Sequence, residues 1–214
     1  MPEIVSPKQI EYLKKLRFEQ NEFTLEMEAF AKQHKIPILN WACAEFMEQL
    51  VLLHKPKRVL EIGTAIAYTT IRIAGNLSES AIIDTIELSK HNIPLAKDYI
   101  KRSGLSDKIN LLEGNAFNVI PTLKNKYDMI FLDADKVDYI SMFELAIELL
   151  KKGGLVVVDN VLWQGYPAST KIPRKYKAST EHVRKFNEMF VAHPKLKTSI
   201  LAIGDGMAIG IKVF

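Results

Sequence analysis

From Arg58 onward the chain alternates short, strongly apolar runs with longer amphipathic segments, and no other feature limits its fold as much. The runs cover residues 59–62, 81–87, 109–112, 129–132 and 155–158. A brief Val/Ile/Leu/Phe run bounded by turn residues reads as a strand buried on both faces, and helices between such strands make parallel crossover units. The intervening patterns predict helices over 68–76, 93–103 with Gly104 as its end, 116–123, and 139–152 closed by Gly153 and Gly154. A last helix is expected over 180–192, with Val183, Phe186 and Phe190 turned inward. Two final runs, 198–203 and 207–213, flank Gly204-Asp205-Gly206, a hairpin signal. The expected fold is therefore α/β: a doubly wound, Rossmann-like seven-stranded sheet with an antiparallel C-terminal hairpin.

The first 54 residues read as an N-terminal helical extension, with helices over 8–19, 22–35 and 41–54, attached to a main unit over 55–214. The second carries an imperfect apolar stripe of Leu25, Met27, Phe30 and Ala31; the third places Phe46, Leu50 and Leu53 on one side. At 214 residues and 48% hydrophobic content the whole suits a single globular unit with a full core. No apolar run approaches the ~20 residues of a membrane span, and residues 1–15 carry charges where a signal peptide needs its apolar stretch. The chain is therefore expected to be cytoplasmic and unassociated with membranes. Cys43 is the only cysteine, which excludes an internal disulfide and a thiolate metal cluster and leaves core packing as its expected role. A net charge of +4 is too small to identify a polyanionic partner by itself.

In open parallel sheets ligands sit beyond the carboxyl ends of the strands, where several polar residues of this chain collect. The first run ends in the turn Gly63-Thr64-Ala65-Ile66-Ala67, which holds only one glycine. A pyrophosphate would want glycine at 65 and 67, so the turn speaks against an NAD-dependent dehydrogenase; a cofactor without phosphate tolerates alanine there. Glu87, closing the second run, is placed to accept from ribose hydroxyls, or is a solvated strand-end acid. Asn115 follows the third run and could meet an adenine edge. Asp133, Asp159 and Asn160 close the fourth and fifth runs: three hard oxygen donors that suit Mg²⁺, Mn²⁺ or Ca²⁺ rather than Zn²⁺, or acids that simply cap the helices after those strands. Residues 166–177 have no regular period and no acid, but hold Lys171, Arg174, Lys175 and Lys177. They read as a mobile loop which, with Arg184 and Lys185, would suit an RNA backbone while Trp163 or Tyr166 stacks on a base; an ordinary solvated loop is the alternative.

Taken together, the chain resembles the class I S-adenosylmethionine-dependent methyltransferases, and among them the metal-dependent O-methyltransferase family of the caffeoyl-CoA and catechol enzymes. The resemblance is carried by Leu60-Glu61-Ile62-Gly63-Thr64-Ala65, Phe131-Leu132-Asp133-Ala134-Asp135-Lys136, Asp159-Asn160-Val161-Leu162 and Ile203-Gly204-Asp205-Gly206. Ile36-Pro37-Ile38, Lys55-Pro56-Lys57-Arg58 and Phe186-Asn187-Glu188 further resemble its bacterial tRNA 5-hydroxyuridine methyltransferase branch. The resemblance implies that Asp133, Asp159 and Asn160 hold a divalent metal, Mg²⁺ or else Mn²⁺ or Ca²⁺. It also implies that Glu87 binds the ribose of S-adenosylmethionine, Asn115 and Ala116 its adenine, and Leu39, Gly63 and Thr69 its methionine end. Glu61 belongs to the same cofactor-binding set, Asp133 serves both ligands, and Lys136 joins Asp133 as catalytic, steering or taking the substrate proton. Ala67 and Asn115 depart from the family's usual glycine and aspartate; a methyl at 67 would crowd the cofactor, and Asn115 would meet adenine N6 through its carbonyl oxygen. The expected reaction is methylation of a hydroxyl beside a second oxygen, first 5-hydroxyuridine in tRNA, otherwise a catechol or caffeoyl-type small molecule. A homodimer is implied as well. A catalytically inactive S-adenosylmethionine- or RNA-binding module remains the rival of a different class.

Overall fold

The computed structural model describes residues 6–17 and 21–214. Three helices come first: α1 (Pro7–Lys15), α2 (Glu22–His34) and α3 (Trp41–His54). Strands and helices then alternate as β1 (Arg58–Ile62), α4 (Tyr68–Asn76), β2 (Ile82–Glu87), α5 (Asn92–Arg102), β3 (Ile109–Glu113), α6 (Ala116–Val119), β4 (Tyr127–Leu132), α7 (Tyr139–Ile147) and β5 (Leu150–Val158). After α8 (Lys177–Val191), β6 (Leu196–Leu201) and β7 (Met207–Lys212) complete one seven-stranded sheet in the order β3-β2-β1-β4-β5-β7-β6. The first five strands are mutually parallel, and β7 runs antiparallel to both β5 and β6. This is the expected doubly wound sheet with its antiparallel hairpin.

The apolar runs are continuous because successive residues feed two separate cores. Val59, Ile83, Met129, Phe131 and Val157 face α3, α4 and α5, whereas Leu60, Ile62, Ile130, Leu132, Val156 and Val158 face α7 and α8. Met27, Ala31, Cys43, Ala44, Met47 and Val51 of α2 and α3 lie in the first of these cores, so the helical extension shares the core of the main unit. Cys43 is fully buried there.

Several expectations need correction. The helix predicted over 139–152 stops at Ile147, because Leu150 turns back into the sheet opposite Tyr127 and the ladder then jumps to Met129 opposite Leu155. The carbonyls left open at that end of the helix are satisfied from far away: Lys212 Nζ donates to those of Ile147 and Leu150, at 2.8 Å each. On α3 the buried face is Cys43, Ala44, Met47 and Val51; of the predicted side, Phe46 and Leu50 pack half-buried against the same core, but Leu53 is 80% exposed. The last helix begins at Lys177, three residues early, since Thr180 does not cap it but donates from its hydroxyl to the Tyr176 carbonyl one turn back. The helix predicted over 8–19 ends at Lys15, and its predicted end, Glu19, lies outside the described residues. Among the described residues no helix is long and apolar enough to cross a membrane.

Candidate active site

The carboxyl ends of β1, β2, β3, β4 and β5 open into one cavity of about 380 Å³. Its walls include Gly63 and Ala65 after β1, Glu87 and Leu88 at β2, Gly114, Asn115 and Ala116 after β3, Asp133 to Lys136 after β4, and Asp159 and Asn160 after β5. Pro37 and Ile38, in the extended passage between α2 and α3, close one side. Of the residues singled out in the sequence, Gly63, Glu87, Asn115, Ala116, Asp133, Lys136, Asp159 and Asn160 therefore meet in one space. Leu39, Glu61 and Thr69 do not line it; all three are buried.

On the β1 side the turn into α4 is tight because two backbones touch. Gly63 has φ +104°, and a Cβ on it would lie 1.9 Å from the Asp133 carbonyl oxygen, so no side chain fits. Ala65 and Ala67 adopt left-handed φ of 49° and 68°, a conformation that costs a non-glycine residue roughly 1–2 kcal/mol. Ala67 is wholly buried in the core between sheet and helices and does not line the cavity; its observed cost is backbone strain. Glu87 helps hold the turn. Its Oε2 accepts from Ala65 N–H at 2.6 Å and its Oε1 from Ser89 N–H at 2.7 Å, leaving lone pairs for a further donor. Asn115 caps α6, its Oδ1 accepting from Phe117 N–H at 2.9 Å, which leaves its amide nitrogen and one oxygen lone pair for a ligand.

Glu61 sits beneath this turn with its Oε2 accepting from Thr70 and Thr85 hydroxyls, and Thr85 Oγ1 lies 2.6 Å from Thr64 Oγ1. Its Oε1 is buried and finds no partner among the described residues. Burial pushes its pKa up to about 8 despite those hydrogen bonds, with the Asp133 and Glu87 charges adding to the rise.

On the β5 side a chain of contacts joins the acids to a cation. Lys136 Nζ donates to Asn160 Oδ1 at 2.8 Å, and Asn160 Nδ2 donates to Asp159 Oδ2 at 2.9 Å. Asp159 Oδ1 is buried and has no partner among the described residues. Burial raises the pKa of Asp159, the neighbouring Asp133 charge raises it further, and burial raises that of Asp133 as well. The buried Asp159, with its orphaned oxygen, and the half-buried Asp133, both held above the usual carboxylate range, are a donor set that fits a divalent cation, which would relieve both. No group of three His, Cys, Asp or Glu side chains with metal spacing occurs among the described residues, so the fit rests on two carboxylates and one amide.

The loop after β5 is braced from four directions. Tyr139 OH donates to the Asp159 carbonyl, Val161 N–H donates to Gly206 O, Leu162 N–H to Asp205 O, and Asn187 Nδ2 to Val161 O. Asp205 Oδ1 also accepts from Gln164 N–H. These bonds hold Asn160, Trp163 and Gln164 at positive φ (58°, 39° and 56°). In the sequence Asp205 stands in a hairpin signal and in one of the resemblance motifs, with no role of its own; its bracing contact spans 41 residues and has no local signal.

Residues 166–177 are not without order. Trp163–Ala168 and Arg174–Tyr176 form 3₁₀ turns, Tyr166 stacks on Tyr176 with ring centroids 5.1 Å apart, and Lys136 Nζ lies 5.0 Å from the centre of the Trp163 ring. Arg184, expected to meet a phosphate backbone, is instead committed to the carbonyls of Tyr166, Pro167 and Ser169. Lys171, Arg174, Lys175 and Lys177 are exposed, and none pairs with an acid among the described residues.

The O-methyltransferase family profile matches residues 5–213. The chain is 31% identical over 195 residues to caffeoyl-CoA O-methyltransferase 2 of Populus trichocarpa, covering 86% of this chain and 79% of that protein. It is 28% identical over 209 residues to tapetum-specific methyltransferase 1 of Arabidopsis thaliana, covering 95% and 87%. Among solved structures, a Staphylococcus aureus protein described as a candidate caffeoyl-CoA O-methyltransferase superposes with a TM-score of 0.88 at 33% identity, over 94% of this chain and 98% of that one.

Proposed function

The chain belongs to the O-methyltransferase family, and from that premise we propose that it moves the methyl group of S-adenosylmethionine, with a divalent cation, onto a hydroxyl that has a second oxygen beside it. The observation that carries the reading is the meeting, in one cavity, of Gly63, Glu87 and Asn115 with Asp133, Asp159, Asn160 and Lys136.

Gly63 admits the methionine end, with Leu39, Glu61 and Thr69 supporting that wall from behind. Glu87 accepts from the ribose hydroxyls. Asn115 meets the adenine edge, through its free Nδ2–H or through the second lone pair of the Oδ1 that already accepts from Phe117 N–H, and Ala116 packs on the ring. Asp133, Asp159 and Asn160 would hold the cation, Mg²⁺ or else Mn²⁺ or Ca²⁺. When bound it supplies Lewis acidity that lowers the pKa of the acceptor hydroxyl. The Lys136 ammonium, which donates to Asn160 Oδ1, steers the acceptor and favours its deprotonated oxygen, the proton leaving to solvent. Enclosure by Pro37 and Ile38 excludes water, and holding donor and acceptor in line supplies much of the rate.

For the acceptor we place a small catechol-like or caffeoyl-type molecule first. The relatives are named for such substrates, Arg184 is spent on carbonyls, and Tyr166 is already stacked on Tyr176. The second reading is 5-hydroxyuridine in tRNA, favoured by the four exposed, acid-free cations of residues 171–177. A single assay separates them: protein, S-adenosylmethionine and Mg²⁺ are offered a catechol, or tRNA carrying 5-hydroxyuridine. Methylation of the catechol alone supports the first, of tRNA alone the second. Cofactor binding with no turnover on either supports the inactive module. We place the protein in the cytoplasm, and as a homodimer on the resemblance; sedimentation tests the latter.

A further inference from the structure

The alanine turn between β1 and α4 is strained, and its helix does nothing to relieve it: Ala67 is the N-cap residue and has no side chain to accept from the first turn. Such residues persist only where their surroundings over-determine them. Glu87 supplies one restraint through Ala65 N–H. A second grips the helix itself. Tyr68, its first residue and 2% exposed, donates from its phenol to Glu28 Oε1 on α2 at 2.6 Å and accepts from Arg72 Nη1, one turn on, at 2.6 Å. Glu28 is locked in turn by a two-pronged contact with Arg17, at 2.6 and 3.0 Å, and Arg72 by Glu48 on α3 at 2.7 Å. None of Glu28, Tyr68 or Arg72 lines the cavity. Yet the elements they join do border it: α4 follows directly from the turn, and α2 ends at His34, three residues before Pro37.

We propose that Tyr68 and Glu28 are positioning residues for the cofactor: by clamping the first turn of α4 to α2 they hold the two left-handed alanines in the shape the cavity requires. A glycine-rich turn would reach that shape without help, because glycine has no Cβ to oppose a positive φ. In this chain the clamp stands in for the glycine that Ala67 replaces. The proposal rests on the reading that this cavity takes S-adenosylmethionine.

The alternative, that the network merely docks α2, predicts an effect independent of residue 67. A double-mutant cycle distinguishes the two. The affinity of the intact chain for S-adenosylhomocysteine is measured by calorimetry for wild type, Tyr68→Phe, Ala67→Gly and the double variant. Tyr68→Phe is expected to weaken binding about tenfold, the equivalent of one strained residue set free. With glycine at 67 the same change should cost about twofold or less. Glu28→Gln, which keeps an acceptor for the phenol, should fall between wild type and Tyr68→Phe, and in turnover KM for S-adenosylmethionine should rise more than kcat falls. An equal loss in both backgrounds, or none, overturns the clamp. If Tyr68→Phe unfolds at the assay temperature, Glu28→Gln takes its place in the cycle under the same criterion. A wild-type chain that fails to bind S-adenosylhomocysteine would overturn the cofactor reading instead.

Discussion

Gly63 and Asp133 touch through their backbones: a Cβ at residue 63 would sit 1.9 Å from the Asp133 carbonyl oxygen, while Asp133 N–H donates to Ile62 O at 2.9 Å. The turn proposed to face the cofactor and the acid proposed to hold the cation are therefore a single packed unit. Gly63→Ala must push them apart and also force a methyl into φ +104°. The expected loss is roughly 3 kcal/mol of stability or more, read from denaturant midpoints, together with loss of cofactor binding.

Asp159→Asn separates the charge of the acid from its bulk. In wild type, adding Mg²⁺ or Mn²⁺ should raise the thermal midpoint, since a ligand that binds only the folded chain stabilises it by mass action. In the variant that rise should vanish. The cation-free midpoint should not fall, because the variant removes a buried acid whose pKa is raised by burial and by the neighbouring Asp133 charge. A preserved cation-dependent rise would remove Asp159 from the cation site.

Glu61 gives the fold a pH dependence of definite sign. Its pKa, raised to about 8 in the folded chain, exceeds the unfolded value of about 4.3. Folding therefore favours the protonated acid. That contribution is complete below the unfolded value and is lost as pH rises toward 8. Glu61→Gln, which cannot ionise, should show a flatter stability profile between about pH 4.5 and 8. Its deficit against wild type should shrink toward the alkaline end. Urea titrations at several pH values without added cation read this directly.

Arg184 ties α8 to the turn at residues 166–169 through three carbonyls. Arg184→Ala leaves those carbonyls to water and frees the Tyr166–Tyr176 stack. The expected result is a KM for the acceptor raised about tenfold with KM for S-adenosylmethionine little changed, since charged hydrogen bonds of this kind are worth about 1.5–3 kcal/mol. A parallel rise in both constants would show that Arg184 supports the whole fold rather than the acceptor side.

The sheet was legible because its runs are continuous and their ends carry acids and amides, both local signals. Tyr68–Asn76 and Trp41–His54 match the helices predicted from periodicity. What the sequence hid depends on distant partners. Lys212 ends α7 from 65 positions away, and the Glu28–Tyr68 bond spans 40. The buried face of α3 was misjudged because its core contacts are small residues, Cys43 and Ala44, whose close packing outweighs the larger Leu53. Arg184 looked available for phosphate because its carbonyl partners carry no charge and leave no trace in composition.

The place of β7 between β5 and β6 has a consequence for synthesis. A chain growing from its N-terminus can assemble β1 to β5 and the cofactor wall early, since parallel crossovers need only what has already been made. The loop bearing Asn160 is different, because Gly206 and Asp205 hold it by backbone bonds to Val161 and Leu162. β6 emerges before its only neighbour in the sheet does, and β5 stays an open edge until Met207–Lys212 arrives. During synthesis the wall proposed for the nucleoside, with Asp133 packed on it, would thus precede the brace that fixes the loop bearing Asn160, and the two halves of the cavity would be completed in separate stages.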